Sequence, residues 1–224
     1  MKRVLAVGAH PDDVELGCGG TLAKHAIGGD EVHIVFMADG ETSRPGAAIA
    51  DVIKRQEQSF KAAKELGISE ARITHLGYPD QRMDASTLLD IVQVFEEAVR
   101  RINPQIVYTH YEHDLNIDHR ITAQAVKTAF RPHHLSDVEA VYSFEVPSST
   151  EWMFGDYPFL PNHYVDVGGI PIERKFLALN AYKSEMRAWP HPRSALGIQT
   201  LASVRGSNIG CQAAEAFKQL WRRA

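Results

Sequence analysis

Three side chains near the start of the chain could do chemistry together. His10, Asp12 and Asp13 follow a short apolar run, Val4-Leu5-Ala6-Val7, and precede the glycine-rich stretch Gly17-Cys18-Gly19-Gly20. An imidazole and a carboxylate three residues apart form a ligand pair that suits a divalent ion such as Zn²⁺. Asp12 would then stand beside any water the ion activates. Pro11 and the two aspartates also suit a bare turn, because Pro fixes φ and Asp caps helices. A second cluster weighs against the bare turn. Thr109-His110-Tyr111-Glu112-His113-Asp114 and Asn116-Ile117-Asp118-His119 likewise follow an apolar run, Ile106-Val107-Tyr108. Two strand ends rich in His and Asp can lie side by side in one sheet and complete a metal site.

The elements that must position these residues are legible from apolar periodicity and from Gly and Pro punctuation. Residues 2–9 read as a strand, 16–27 as a helix closed by Gly28-Gly29, and 31–38 as a second strand. Residues 48–66 read as a long helix stopped by Gly67, and 73–76 as a third strand. Residues 87–102 form a helix with Leu88, Ile91, Val92, Phe95 and Val99 on one stripe, broken by Asn103-Pro104. Residues 106–110 are a fourth strand, and 118–130 a helix with His119 in its first turn. This alternation predicts a parallel sheet with right-handed crossovers, whose ligands bind off the carboxyl ends of the strands. Beyond residue 130 the pattern loosens. Residues 138–146 and 163–167 read as strands, 171–186 and 195–204 as helices, and 147–161 as a loop over the site. With no internal repeat or linker, residues 1–224 are expected to form a single domain.

Composition narrows the class. The chain has 224 residues, 44% hydrophobic and 23% charged, with a net charge of -4, enough for one real core and without the basic footprint of a nucleic-acid binder. Cys18 and Cys211 make no disulfide framework. No apolar stretch approaches a membrane span, and the first apolar run is too short for a signal segment, so a cytoplasmic protein is expected.

Ala9-His10-Pro11-Asp12-Asp13, with Glu15 and Gly17, resembles the signature of the PIG-L/LmbE-like zinc-dependent N-acetylglucosaminyl deacetylases. Asp118-His119 resembles that family's second metal motif. Ala178-Leu179, Tyr182-Lys183-Ser184-Glu185, Gly210 and Ala214-Glu215-Ala216-Phe217 resemble its C-terminal segment, so the likeness covers nearly the whole chain. The resemblance implies an α/β, Rossmann-like three-layer fold with a mostly parallel central sheet. It implies a hydrolase that removes the N-acetyl group from a GlcNAc-type sugar or glycoconjugate, giving acetate and a free amine. His10, Asp13 and His119 would hold Zn, with Fe or another divalent metal able to substitute, and Asp12 would be the general base.

The chain departs from the commonest family pattern at one position. Many members carry His-Pro-Asp-His, whose first imidazole assists the oxyanion; here Asn116 stands in its place. His113 is the preferred replacement, with His110 and Tyr182 as alternatives and Asn116 itself able to donate a hydrogen bond. Asp118 is expected to orient an imidazole, and Glu15 to stabilise the helix start or orient a ligand. Arg44, Arg55 and Arg82 are candidates to hold substrate hydroxyls or a phosphate through forked donors; Arg55 matches an arginine that recurs in the family's second long helix. Two rival readings stand beside this one. One is metal-dependent hydrolysis of another amide, ester or phosphoester; the other is a non-catalytic binding protein that keeps the fold. A dinucleotide-binding module is disfavoured, because the full Gly-x-Gly-x-x-Gly fingerprint is absent. The carrier of the sugar, the native metal and the oligomeric state, a homo-oligomer included, stay open.

Overall fold

A computed structural model describes residues 1–132 and 137–223. Among the described residues seven strands form one sheet: β1 (Arg3–Gly8), β2 (Glu31–Ala38), β3 (Ile73–Tyr78), β4 (Ile106–His110), β5 (Ala140–Phe144), β6 (His163–Asp166) and β7 (Ala214–Arg222). The helices are α1 (Asp13–Ile27), α2 (Ile49–Glu65), α3 (Leu88–Val99), α4 (Ile117–Ala129), α5 (Ile170–Leu179) and α6 (Ala195–Ser207). Strand order is β3-β2-β1-β4-β5-β7-β6. β1 to β5 run parallel, while β7 pairs antiparallel with both β5 and β6.

Two apolar layers flank the sheet. On one face Leu22 and Ala23 of α1, Ala62 and Leu66 at the end of α2, and Ala178 and Leu179 of α5 pack on Val4, Ala6, Ile34 and Phe36. On the other, the α3 stripe of Ile91, Val92, Phe95 and Val99 joins Ala125 and Val126 of α4 over Leu5, Val7, Val35 and Val107. Truncating a fully buried ring such as Phe95 to Ala would cost about 3–5 kcal/mol. The result is the expected three-layer α/β arrangement. No helix among the described residues is long and apolar enough to cross a membrane.

The chain order reverses direction at β1. From β1 it runs outward through β2 to β3, and then returns to β4 on the other side of β1. The carboxyl ends of β1 and β4 therefore diverge into loops on opposite sides, which opens a crevice at the topological switch point.

Three sequence expectations need correction. The first helix begins at Asp13, a turn earlier than the apolar pattern indicates, and it kinks at Cys18 (φ -142, ψ 15). Its glycines carry no periodic signal, but Gly17 is required: a Cβ there would meet Phe144 Cδ2 at 2.3 Å. The fifth helix stops at Leu179 instead of running to residue 186, passing into a single 3₁₀ turn, Asn180–Tyr182. The longest strand, β7, escaped notice. Its inward position Glu215 is buried but charged, paired with Lys175 Nζ (2.7 Å), so the alternation that marks a half-buried strand is broken.

Candidate metal centre and active site

The turn after β1 is knotted by its own backbone. The Asp13 N–H donates to His10 O (3.2 Å), and the His10 N–H donates to Asp13 Oδ2 (2.8 Å). Asp12, between them, holds φ +130, a left-handed conformation for a residue with a Cβ. Such strain costs about 1–3 kcal/mol and persists where surrounding contacts over-determine it. Across the sheet, β4 ends at His110, and α4 starts after Asn116. The Asn116 Oδ1 accepts from the N–H groups of Asp118 (2.8 Å) and His119 (3.4 Å), an N-cap that fixes His119 in the first turn. β1 and β4 are direct neighbours, with Ala6 opposite Tyr108, so the two clusters meet.

They meet around Asp13. His10 Nδ1 lies 3.2 Å and His119 Nε2 3.3 Å from Asp13 Oδ2. One ligand atom from each of His10, Asp13 and His119 falls within 4.8 Å of the others, and all three residues are buried. A second trio, His10, Asp80 and Asp118, satisfies the same distance. The hydrogen bonds separate the two. Asp118 Oδ2 takes the Gln81 N–H (2.7 Å) and faces His10 Nε2 (3.1 Å), while Asp118 Oδ1 takes the Met83 N–H (3.2 Å). Asp80 Oδ2 takes the Ser43 hydroxyl, and Asp80 Oδ1 lies 3.1 Å from His10 Nε2. Those carboxylates are spent on His10 and on protein donors. By contrast Asp13 Oδ1 is buried with no hydrogen-bond partner among the described residues. A buried carboxylate with one oxygen orphaned and the other flanked by two imidazoles is a group in want of a cation. The His10, Asp13, His119 set fits a divalent ion with an open coordination position.

Electrostatics say the same. Burial alone would lower the His119 pKa, yet the charges of Asp13 and Asp114 push it up to about 9. His10 is raised well above the ordinary value despite burial, through Asp118, Asp13 and Asp80. Protons are drawn onto these rings because carboxylates surround them, and a bound cation would supply that positive charge instead. Asp12 is different. Burial raises it to about 6, with Arg193 pulling down and Asp13 pushing up. Asp80 is held at about 2, the His10 hydrogen bond overcoming burial.

A cavity of about 130 Å³ opens here, lined by His10, Asp12, Asp13, Asp80, Asn116 and His119, and walled on one side by Arg44, Arg55, Glu185 and Arg193. A larger cavity of about 470 Å³ lies at the opposite, amino ends of β4 and β5, against Tyr108, Tyr142 and His163. None of the candidate metal trios touches it.

Of the residues singled out in the sequence, His10, Asp12, Asp13, Asn116, Asp118 and His119 converge, and Arg44 reaches the cavity rim. Five do not serve as expected. His113 stacks on Tyr157 (4.2 Å) outside the cavity, because its loop turns it towards the surface. Tyr182 is fully buried and its hydroxyl bonds Glu15 Oε1 (3.2 Å), so it cannot reach a substrate. Arg82 is exposed and does not line the cavity. Arg55 does line it, but its donors are committed to Glu41 Oε1 (2.7 Å), Glu185 Oε1 (2.5 Å) and Pro11 O (3.5 Å). It buttresses the His10 turn instead of gripping a ligand. His110 is also sealed: it accepts the Ala9 N–H (2.8 Å), stacks on His119 (3.9 Å), and burial lowers it to about 4.

Sequence reasoning gave no role to Arg193, Asp80, Asp114, Glu41 or Glu185, although Asp114 stands in the second His/Asp cluster. Asp114 approaches His119 Nδ1 to 3.0 Å and is itself held by Ser149 and Thr150 of the loop over the site. Arg193 Nη1 lies 3.1 Å from Asp12 Oδ2. It belongs to the proline-punctuated segment Trp189-Pro190-His191-Pro192-Arg193, which has no ligand spacing to read.

Comparison with known proteins places this geometry. Residues 5–130 match the family model described as PIG-L, GlcNAc-PI de-N-acetylase. The chain is 32% identical over 188 residues to the uncharacterized deacetylase YaiS of Escherichia coli (strain K12), covering 82% of this chain and 91% of that one. It is 28% identical over 229 residues to a 4-oxalmesaconate hydratase of Pseudomonas putida (91% and 83% covered). It is 26% identical over 231 residues to the diacetylchitobiose deacetylase of Thermococcus kodakarensis (97% and 83% covered). Among solved structures, the conserved protein TT1542 from Thermus thermophilus superposes with a TM-score of 0.78 at 24% identity, over 100% of this chain and 97% of that one.

Proposed function

The chain belongs to the PIG-L family of de-N-acetylases, and on that footing we propose that it hydrolyses the acetamide of a GlcNAc-type sugar or glycoconjugate, releasing acetate and a free amine. One observation carries the reading. Asp12, ionisable near neutrality, stands in the same small cavity as a His10, Asp13, His119 set whose Asp13 Oδ1 has no other partner among the described residues. Two imidazoles and one carboxylate suit Zn²⁺, and Fe²⁺ also fits such donors. A divalent ion held there acidifies a water and polarises a carbonyl.

The chain's own residues supply the rest. Asp12 takes the proton of the attacking water as its oxygen bonds the acyl carbon, then returns it to the nitrogen as the carbon–nitrogen bond breaks. A carboxylate raised to about 6 is ionised at neutral pH yet basic enough for that transfer. Asp118 holds the His10 ring at Nε2, leaving Nδ1 as the nitrogen that would face an ion held with Asp13. Asp114 does the same for His119.

The hydratase relative favours one alternative, addition of water to a carbon–carbon double bond at the same centre. Arginines on the cavity wall would suit an anionic substrate for it. Assay of acetate release from a panel of N-acetylated sugars, in the metal-loaded protein, tests the proposal. Acetate appearing with a free amine, and lost in Asp12→Asn, supports hydrolysis. Turnover of unsaturated acids without acetate release would replace it with hydration.

A further inference from the structure

If the site hydrolyses an amide, negative charge must develop on the acyl oxygen, and a preorganised donor there is worth a large part of the rate. The imidazole that the family pattern would use is absent. Asn116 lines the cavity but its amide carries no charge, His113 faces away, and Tyr182 and His110 are sealed. The cavity wall offers another group. We propose that Arg193 supplies the cationic donor for that oxygen, taking the place of the missing imidazole; the inference rests on the hydrolytic reading of the site.

The geometry singles out this guanidinium among the three on the wall. Arg55 is saturated by Glu41, Glu185 and Pro11, and Arg44 reaches Glu185 (3.0 Å) and Glu41 (3.1 Å). Arg193 is clamped at one end only. Its Nε donates to Ser148 Oγ (2.8 Å) and Pro147 O (3.2 Å), and its Nη1 to Asp12 Oδ2 (3.1 Å). Its Nη2 has no partner among the described residues. The head group is thus held beside the proposed base with one donor unused, and its side chain is only 19% exposed. A fixed donor in a water-poor site needs no reorganisation when charge appears.

The division of labour balances. As the water oxygen bonds the acyl carbon, the carbonyl π pair moves onto oxygen facing Arg193, and a water proton goes to Asp12. When the pair returns, the carbon–nitrogen bond breaks and the Asp12 proton goes to nitrogen. Acetic acid leaves and ionises in solvent. A guanidinium stays charged at any physiological pH, so Arg193 moves no proton and Asp12 serves both steps.

The test uses Arg193→Gln and Arg193→Lys with bound metal confirmed by elemental analysis. Two readouts are taken: kcat and KM for acetate release, and calorimetric affinity for methylphosphonate, a tetrahedral oxyanion. The expected result for Arg193→Gln is a fall in kcat of about 10²-fold or more with KM little changed. Methylphosphonate affinity should drop about tenfold or more, the scale of one charged hydrogen bond. Arg193→Lys should fall between, and it carries the test if the Gln variant does not fold. Wild-type kcat together with wild-type methylphosphonate affinity in Arg193→Gln would overturn the proposal. If the unmodified protein releases no acetate, the hydrolytic reading fails by itself, and the methylphosphonate comparison still decides whether Arg193 faces an oxyanion.

Discussion

Residues 1–130 and residues 137–223 contribute to one cavity in different ways. The first part supplies His10, Asp12, Asp13, Asp80, Asp118 and His119, all at carboxyl ends of parallel strands or in the turns just after them. Local bonds such as the Asn116 cap and the His10–Asp13 turn set the two strand ends, and bonds across this part, from Gln81 and Met83 to Asp118 and from Ser43 to Asp80, lock them together. The second part supplies Glu185 and Arg193 from irregular segments, and closes the sheet with an antiparallel edge. It also knots the helices to the sheet: Lys175 Nζ reaches Leu16 O and Glu215 Oε1 (both 2.7 Å), and Glu215 accepts from Gly20 and Thr21 (2.9 and 2.6 Å). The difference teaches that a reactive centre can be laid out by strand-end sequence, while half of its charged wall, Glu185 and Arg193 beside Arg44 and Arg55, and its mechanical support come from far along the chain.

That contrast can be broken by substitution. The largest effect is expected at Asp12→Asn in the first part. Turnover should fall about 10²–10⁴-fold with metal content retained, because only the proton acceptor is lost; parallel kinetics and elemental analysis check it. Next comes the second part's knot. Lys175→Met should cost about 3–5 kcal/mol of unfolding free energy by leaving the Glu215 charge buried without its partner, while metal binding is unchanged. Denaturant titration and metal stoichiometry measure the two. If Lys175→Met instead stripped the metal, the division between the two parts would fail. Asp118→Asn should weaken metal affinity about 10–100-fold, since its carboxylate orients His10, as read by competition with a chelator.

A further effect is a pH slope that crosses both parts and is read in stability, not in turnover. Glu15 of α1 is pushed from an ordinary 4.5 to about 8 by burial, the neighbouring Asp12 and Asp13 charges adding to it, and it faces Tyr182 from the second part. The folded state therefore favours the protonated acid. Its stabilisation is fully present below pH 4.5 and is lost as pH rises towards 8. Glu15→Gln should flatten that part of the stability profile, seen as a smaller fall in the thermal midpoint between about pH 5 and 8 (a window set by the two pKa values).

The same contrast explains what the sequence disclosed. Strands β2 and β4 match their apolar runs residue for residue, because buried parallel strands read as continuous hydrophobic segments. The His10 and His119 clusters were visible because ligand types crowd at fixed spacing beside such strands. Asp118 was visible next to His119. β7 was not, since buried Glu215 interrupts its pattern, and Arg193 was not, since nothing local marks an arginine that meets Asp12 from 181 positions away. The roles given to His113, Tyr182, Arg82 and Arg55 went astray for a related reason. Residue type states what a side chain can do, but loop direction and prior partners decide what it faces.

Anomalous diffraction from crystals of the metal-loaded protein addresses the site most directly. A single divalent ion bonded to His10, Asp13 and His119, with solvent in the remaining position, is the expected result. An ion bonded instead to His10, Asp80 and Asp118, or none retained at that cavity, would contradict it.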